Sequence, residues 1–122
     1  MSINSTQPTV TVAEGTYSYK AGFTFSSGDS TILTPSAGKA LRLFYYMVNG
    51  DSANTVGVTA TLKFNGGSGI TNVSIPPGAT LARNIGAGKY YFQGAADQTL
   101  VLNLVMSIGS QTVNWALEYL EV

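Results

Sequence analysis

Between Thr55 and Asn65 the chain alternates without interruption: Val56, Val58, Ala60, Leu62 and Phe64 are apolar, while Thr55, Gly57, Thr59, Thr61, Lys63 and Asn65 are polar or small. A strand turns successive side chains to opposite faces, whereas a helix would scatter these apolar residues around its circumference. The segment therefore reads as a strand with one buried and one wet face, as in an antiparallel sheet.

Other segments repeat the period. Gln98 to Ser107 sets Leu100, Leu102, Leu104 and Met106 against Val101, Asn103 and Val105, and Thr112 to Val122 places Val113, Trp115, Leu117 and Tyr119 on one face. The link between them, Ile108-Gly109-Ser110-Gln111, has the length of a hairpin turn. Asn65-Gly66-Gly67-Ser68-Gly69 predicts a hairpin into the strand Ile70 to Ile75, which Pro76-Pro77-Gly78 then stops. Weaker strand signals cover Thr9 to Ala13, Thr16 to Phe25, Ser30 to Leu33, Leu81 to Ile85 and Lys89 to Gln93. Lys39 to Val48 differs, because it is apolar on both sides: Leu41, Leu43, Tyr45 and Met47 fall on one face, Phe44, Tyr46 and Val48 with Arg42 on the other. Such a strand is covered twice, by its own chain or by a neighbouring subunit.

No fixed-period repeat emerges, which disfavours a propeller or solenoid. The pattern predicts an all-β fold, an antiparallel β-sandwich of jelly-roll type with roughly eight to ten short strands. The domain is expected over residues 9–122, preceded by a polar arm from Met1 to Pro8 that is either a frayed end or a contact to a neighbour. The expected core contains Val56, Val58, Leu62, Phe64, Leu100, Leu102, Leu104, Val113, Trp115 and Leu117.

Composition narrows the function. Of 122 residues 44% are hydrophobic but only 10% charged, and fourteen Thr, twelve Ser and eight Asn supply the missing polarity. Soluble domains usually carry about 25% charged residues. Six basic and six acidic side chains cancel to zero net charge, a poor composition for a freely diffusing monomer and a suitable one for a permanent assembly. With no His and no Cys there is no Ser-His or Cys-His pair, no thiolate chemistry, no His/Cys zinc site and no disulfide. The basic residues Lys20, Lys39, Arg42, Lys63, Arg83 and Lys89 are scattered, so the basic stripe of a nucleic-acid binder is missing. No apolar run reaches the ~18 residues of a membrane span, and the opening lacks the pattern of a signal peptide, so folding in a cytoplasm is expected.

Motif tests point the same way. Gly86-Ala87-Gly88-Lys89 fails as a phosphate loop, because Arg83 stands where the first Gly is needed and Tyr90 follows the Lys. Asn49-Gly50-Asp51-Ser52-Ala53-Asn54 offers oxygen ligands but one carboxylate, which an Asx-type turn explains better than calcium. No spacing brings two carboxylates together for glycoside hydrolysis. The expectation is a protein that is not an enzyme, with no catalytic or metal-binding residues and no cofactor. The aromatic pairs Tyr45-Tyr46 and Tyr90-Tyr91 stand out, since adjacent strand residues point to opposite faces and one of each pair must leave the core. An exposed Tyr serves as an interface anchor or a sugar-stacking platform, unless an overlying segment buries both sides.

The stretch Ala40-Leu41-Arg42-Leu43-Phe44-Tyr45-Tyr46, the strand Gly57 to Phe64, then Pro77-Gly78-Ala79, Ala82-Arg83-Asn84-Ile85-Gly86-Ala87-Gly88, Gln93-Gly94-Ala95 and the closing Glu118-Tyr119 resemble small bacteriophage virion proteins of jelly-roll or similar β-sandwich fold. The resemblance spans residues 38–122 and implies a structural subunit of the virion, of the capsid-decoration type. It also implies a homo-oligomer, most often a trimer, bound to the major capsid protein or another virion protein, with neither nucleic acid nor membrane as partner. Asn4, Ser5, Thr6 and Gln7 of the arm, with Tyr45, Tyr46, Tyr90 and Tyr91, are the expected interface residues. The alternative is a receptor- or glycan-binding module of a tail fibre or other appendage, because the same fold serves both roles.

Overall fold

The computed structural model describes residues 17–67, 69–84 and 91–122. Within them lie nine strands: β1 (Ser18–Thr24), β2 (Gly28–Leu33), β3 (Leu41–Gly50), β4 (Val58–Phe64), β5 (Gly69–Ile75), β6 (Thr80–Asn84), β7 (Phe92–Gln93), β8 (Leu100–Met106) and β9 (Val113–Glu121). There is no helix among the described residues. The strands form two antiparallel sheets, one ordered β1-β9-β3-β6 with the short β7 also paired to β3, the other ordered β2-β8-β4-β5. The expected arm at Met1 to Pro8 and the strand at Thr9 to Ala13 lie outside the described residues, as does Tyr90.

The pairings are nested. β4 pairs β5, β3 pairs β6, β2 pairs β8 and β1 pairs β9, so each successive pair encloses the one before. Turn chemistry accounts for the innermost one. The Gly67 amide donates to the Phe64 carbonyl at 2.9 Å, and Gly66 takes a φ of +71°, which glycine adopts at no steric cost. After β5 the two prolines end the sheet, and Gly78, with φ +79°, donates to the Gly50 carbonyl at 2.7 Å as the chain passes to the other sheet. Gly50 meets this turn so closely that a Cβ there would lie 2.6 Å from the Pro76 carbonyl oxygen.

The core lies between the two inner faces. Leu41, Leu43, Tyr46, Val48, Val113, Trp115 and Leu117 from one sheet meet Val58, Leu62, Phe64, Leu100, Leu102 and Leu104 from the other, all buried. Each large side chain withdrawn from water contributes about 1.5–3 kcal/mol, which makes this layer the main source of stability. Nine of the ten expected core residues are here. Val56 is not: it is half-buried in a bend before β4, because the strand begins only at Val58.

Two further corrections concern phase and pairing. Leu41 and Leu43 enter the core, but Tyr46 and Val48 enter it with them, where strict alternation puts Tyr45 and Met47. The cause is a β-bulge: Tyr119 faces Leu43 and Glu118 faces Tyr45, leaving Phe44 as an extra residue that reverses the phase of the strand. The hairpin predicted at Ile108 to Gln111 is instead a crossing between sheets, since β8 pairs β2 and β4 while β9 pairs β1 and β3. Buried Gln111 fixes this corner. Its side chain accepts from the Thr55 amide at 2.9 Å and donates to the Ile108 carbonyl at 3.1 Å.

Candidate functional site

The bulge at Phe44 builds the most distinctive surface of the molecule. It turns Phe44 and Tyr45 toward the outer face of the β1-β9-β3-β6 sheet, away from the core. Phe44 is nonetheless only 3% exposed, because aromatic side chains of the same chain cover it. Tyr17 stacks on it at 4.6 Å between centroids, and Tyr91 meets it edge-on at 5.6 Å. The Arg42 guanidinium sits 4.5 Å from the Tyr91 ring centre, and its Nε donates to Gln93 Oε1 at 2.8 Å. Stacking, edge-to-face and cation–π contacts thus fix four side chains in one arrangement.

The register of the sheet arranges the rest of this face in rows. One row across four strands reads Tyr19, Glu118, Tyr45 and Asn84; the next reads Ala21, Ala116, Met47 and Ala82; a third reads Phe23, Asn114, Asn49 and Thr80. Three of the four side chains in the middle row are alanine, and Met47, half-buried, is the exception. The third row is locked by hydrogen bonds: Asn114 Nδ2 donates to Asn49 Oδ1 at 3.0 Å, and Asn49 Nδ2 donates to Thr80 Oγ1 at 2.8 Å. The rim carries exposed aromatics, with Tyr19 65%, Phe23 66% and Tyr91 43% exposed, and Phe25 beside Phe23 at 6.2 Å between ring centres.

The outer face of the other sheet has a different character. Its central row is Asp29, Asn103, Thr61 and Asn72. Asp29 accepts from Asn103 Nδ2 at 2.7 Å and pairs with Lys63 Nζ at 3.3 Å, and these contacts, the Asn103 bond foremost, hold its carboxyl below its ordinary pKa. Asn72 Nδ2 donates to Thr61 Oγ1 at 2.9 Å. These polar groups satisfy one another across the strands. Asp51, the carboxylate of the Asn49 to Asn54 loop, closes an Asx turn by accepting from the Ala53 amide at 3.0 Å. Among the described residues no three His, Cys, Asp or Glu side chains converge.

No protein-family model matches the chain, and no curated protein resembles it significantly in sequence.

The residues expected at an interface separate clearly. Tyr91 is exposed and Tyr45 half-buried, and both lie on the outer face of the β1-β9-β3-β6 sheet. Tyr46 is 2% exposed and belongs to the core, so it presents nothing to a partner. Asn4, Ser5, Thr6, Gln7 and Tyr90 lie outside the described residues. Sequence reasoning missed Tyr17, Tyr19, Phe23, Phe25, Arg42 and Phe44. For four of these the signal was present, since aromatics recur at every second residue at both ends of the segment from Tyr17 to Phe25.

Proposed function

We propose that this chain is a non-enzymatic structural subunit of a bacteriophage virion, a jelly-roll protein of the capsid-decoration type that docks on the shell through the outer face of the β1-β9-β3-β6 sheet. The observation that carries the reading is that face itself. It carries exposed Tyr19, Phe23 and Tyr91 beside the row Ala21, Ala116, Met47 and Ala82, on a chain in which only 10% of residues are charged. Exposed aromatics together with Met and Arg are the side chains enriched in protein–protein contacts, where rigid rings bury much area at little entropic cost. The nested pairing from β4·β5 out to β1·β9 supports the jelly-roll reading, since rolling up one long hairpin produces that nesting.

A receptor- or glycan-binding role is the second reading, favoured by Tyr91, whose exposed ring is fixed by Arg42 and Phe44 and offers a stacking surface. One experiment separates the two. Gold-labelled antibody against the chain, applied to purified particles, is expected to label the shell at many copies. Labelling confined to a tail tip selects the glycan reading, and unlabelled particles remove the virion assignment. In a binding assay with isolated shells, Met47→Glu places a charge in the middle of this face and is expected to weaken shell binding at least ~tenfold, the scale of burying an unpaired charge in an interface.

A further inference from the structure

We infer that β1 is a two-fold pairing strand, through which two copies of this chain join edge to edge into one continuous sheet. Among the described residues β1 is an outer strand of its sheet, paired on one side to β9. From Tyr17 to Phe25 its sequence reads Tyr-Ser-Tyr-Lys-Ala-Gly-Phe-Thr-Phe. About Ala21 three of the four pairs match in side-chain type, Tyr17 with Phe25, Ser18 with Thr24 and Tyr19 with Phe23, while the fourth sets Lys20 against Gly22. A two-fold axis pairs a strand antiparallel with itself, so residue types equidistant from the axis meet across it. With the axis at Ala21, each copy sets Tyr19 against Phe23 of the other, an aromatic cross-strand pair on the outer face, and hydroxyl against hydroxyl on the inner face.

Lys20 selects this register. A charge on an edge strand normally deters pairing, but here it comes opposite Gly22, which has no side chain. Moving the axis to Lys20 sets two ammonium groups against each other. Moving it to Gly22 sets Ala21 against Phe23 and leaves Tyr19 to face Phe25 beyond the strand end. The exposure of Tyr19 and Phe23, the highest among the exposed large hydrophobics, is what such an interface covers. A closed trimer joins two different surfaces around its ring, whereas this strand is complementary to itself, so the symmetry it specifies is two-fold. This dimer forms in the purified protein without a particle, and its seam holds Tyr19 and Phe23 of the proposed docking face of each copy.

The chain has no cysteine, so a single introduced thiol reports the contact directly. Ala21→Cys puts two thiols opposite each other across the axis, within the Cα separation a disulfide spans. Mild oxidation is expected to convert this variant to a covalent dimer. Val105→Cys, also exposed but on the other sheet, is expected to stay largely uncrosslinked. The unmodified protein is expected to sediment as a dimer, and Ala21→Lys, which places like charges on the axis at an exposed position, to weaken that dimer by ~tenfold or more while leaving the thermal unfolding of the dilute protein unchanged. A monomer or a trimer in sedimentation, or equal crosslinking of both cysteine variants, overturns the inference.

Discussion

Gly22 sets how closely β1 lies against the core. A Cβ at this position would stand 2.7 Å from Cζ2 of Trp115, its cross-strand neighbour, so the indole occupies the space where a side chain would be. Gly22→Ala is expected to push the ring off its site and cost about 1–3 kcal/mol, the usual penalty for overpacking. The neighbouring Ala21 faces outward, and Ala21→Ser is expected to stay within ~0.5 kcal/mol. Urea denaturation distinguishes them, and a Gly22→Ala midpoint equal to the parent's would contradict the packing. Trp115 allows a sharper comparison. Its Nε1 is buried without a hydrogen-bond partner among the described residues. Trp115→Ala is expected to cost roughly 3–5 kcal/mol through lost burial and a cavity. Trp115→Phe keeps much of the ring and removes the unsatisfied N–H, whose burial costs about 1–3 kcal/mol, so it is expected to be the milder of the two by a wide margin. Sequence alone marks Trp115 as core from the alternation of β9. It is silent on Gly22, because the contact arises from a pairing distant in sequence.

A single bulge decides which face of β3 is which. Phe44 inserts one residue opposite the step from Glu118 to Tyr119, so core positions 41 and 43 continue as 46 and 48. Deleting Phe44 removes the phase change and turns either Leu41 and Leu43 or Tyr46 and Val48 out of the core. That deletion is expected to abolish cooperative folding, seen as loss of a sigmoidal melt by circular dichroism. Phe44→Leu, which keeps the bulge and a buried apolar side chain, is expected to remain folded with a lowered melting temperature. A cooperative melt of the deletion variant at the parent temperature would mean that the strand runs without a bulge. The sequence could not reveal the bulge, since both phases of Leu41 to Val48 are apolar and no polar residue marks the slip. Where one face was polar, as in β4, the alternation from Val58 to Phe64 was read correctly residue by residue. The crossing at Ile108 to Gln111 was misread for a related reason: loop length fits a hairpin and a sandwich corner equally, and what distinguishes them is the pairing of β8 and β9 in different sheets, which depends on residues distant in sequence. The candidate face was half legible. Tyr91 and Tyr45 were visible as members of aromatic pairs of which one must leave the core, but the row of Ala21, Ala116, Met47 and Ala82 depends on the register of four strands.

At the scale of the whole molecule, two carboxylates tie elements that lie far apart in sequence, and their titration contributes to the response of the fold to acid. Asp29 on β2 joins Asn103 of β8 and Lys63 of β4. Glu121, at the end of β9, accepts from the Ser36 amide at 3.1 Å and so fastens the last strand to the segment after β2. Both carboxyls lie below their ordinary pKa: Asp29 chiefly through the Asn103 hydrogen bond and then Lys63, Glu121 chiefly through its hydrogen bonds to Ser36. A lowered folded value means that in acid the unfolded chain binds more protons than the folded one, so stability rises with pH there. The contribution is complete above the unfolded carboxylate values of ~4 and is lost as the pH falls through the lowered folded values. Denaturation midpoints are therefore expected to be level from neutral pH down to about pH 5 and to decline below it. Both groups are solvent-exposed, so the decline is expected to be shallow. Asp29→Asn removes one titrating group, and it is expected to lower the midpoint at pH 7 slightly while flattening the acid decline. Salt separates the two causes at Asp29, since screening weakens the Lys63 pair and leaves the Asn103 hydrogen bond in place. An acid decline of unchanged steepness in Asp29→Asn would show that this carboxylate has no part in it and that Glu121 and the other acidic groups carry it all.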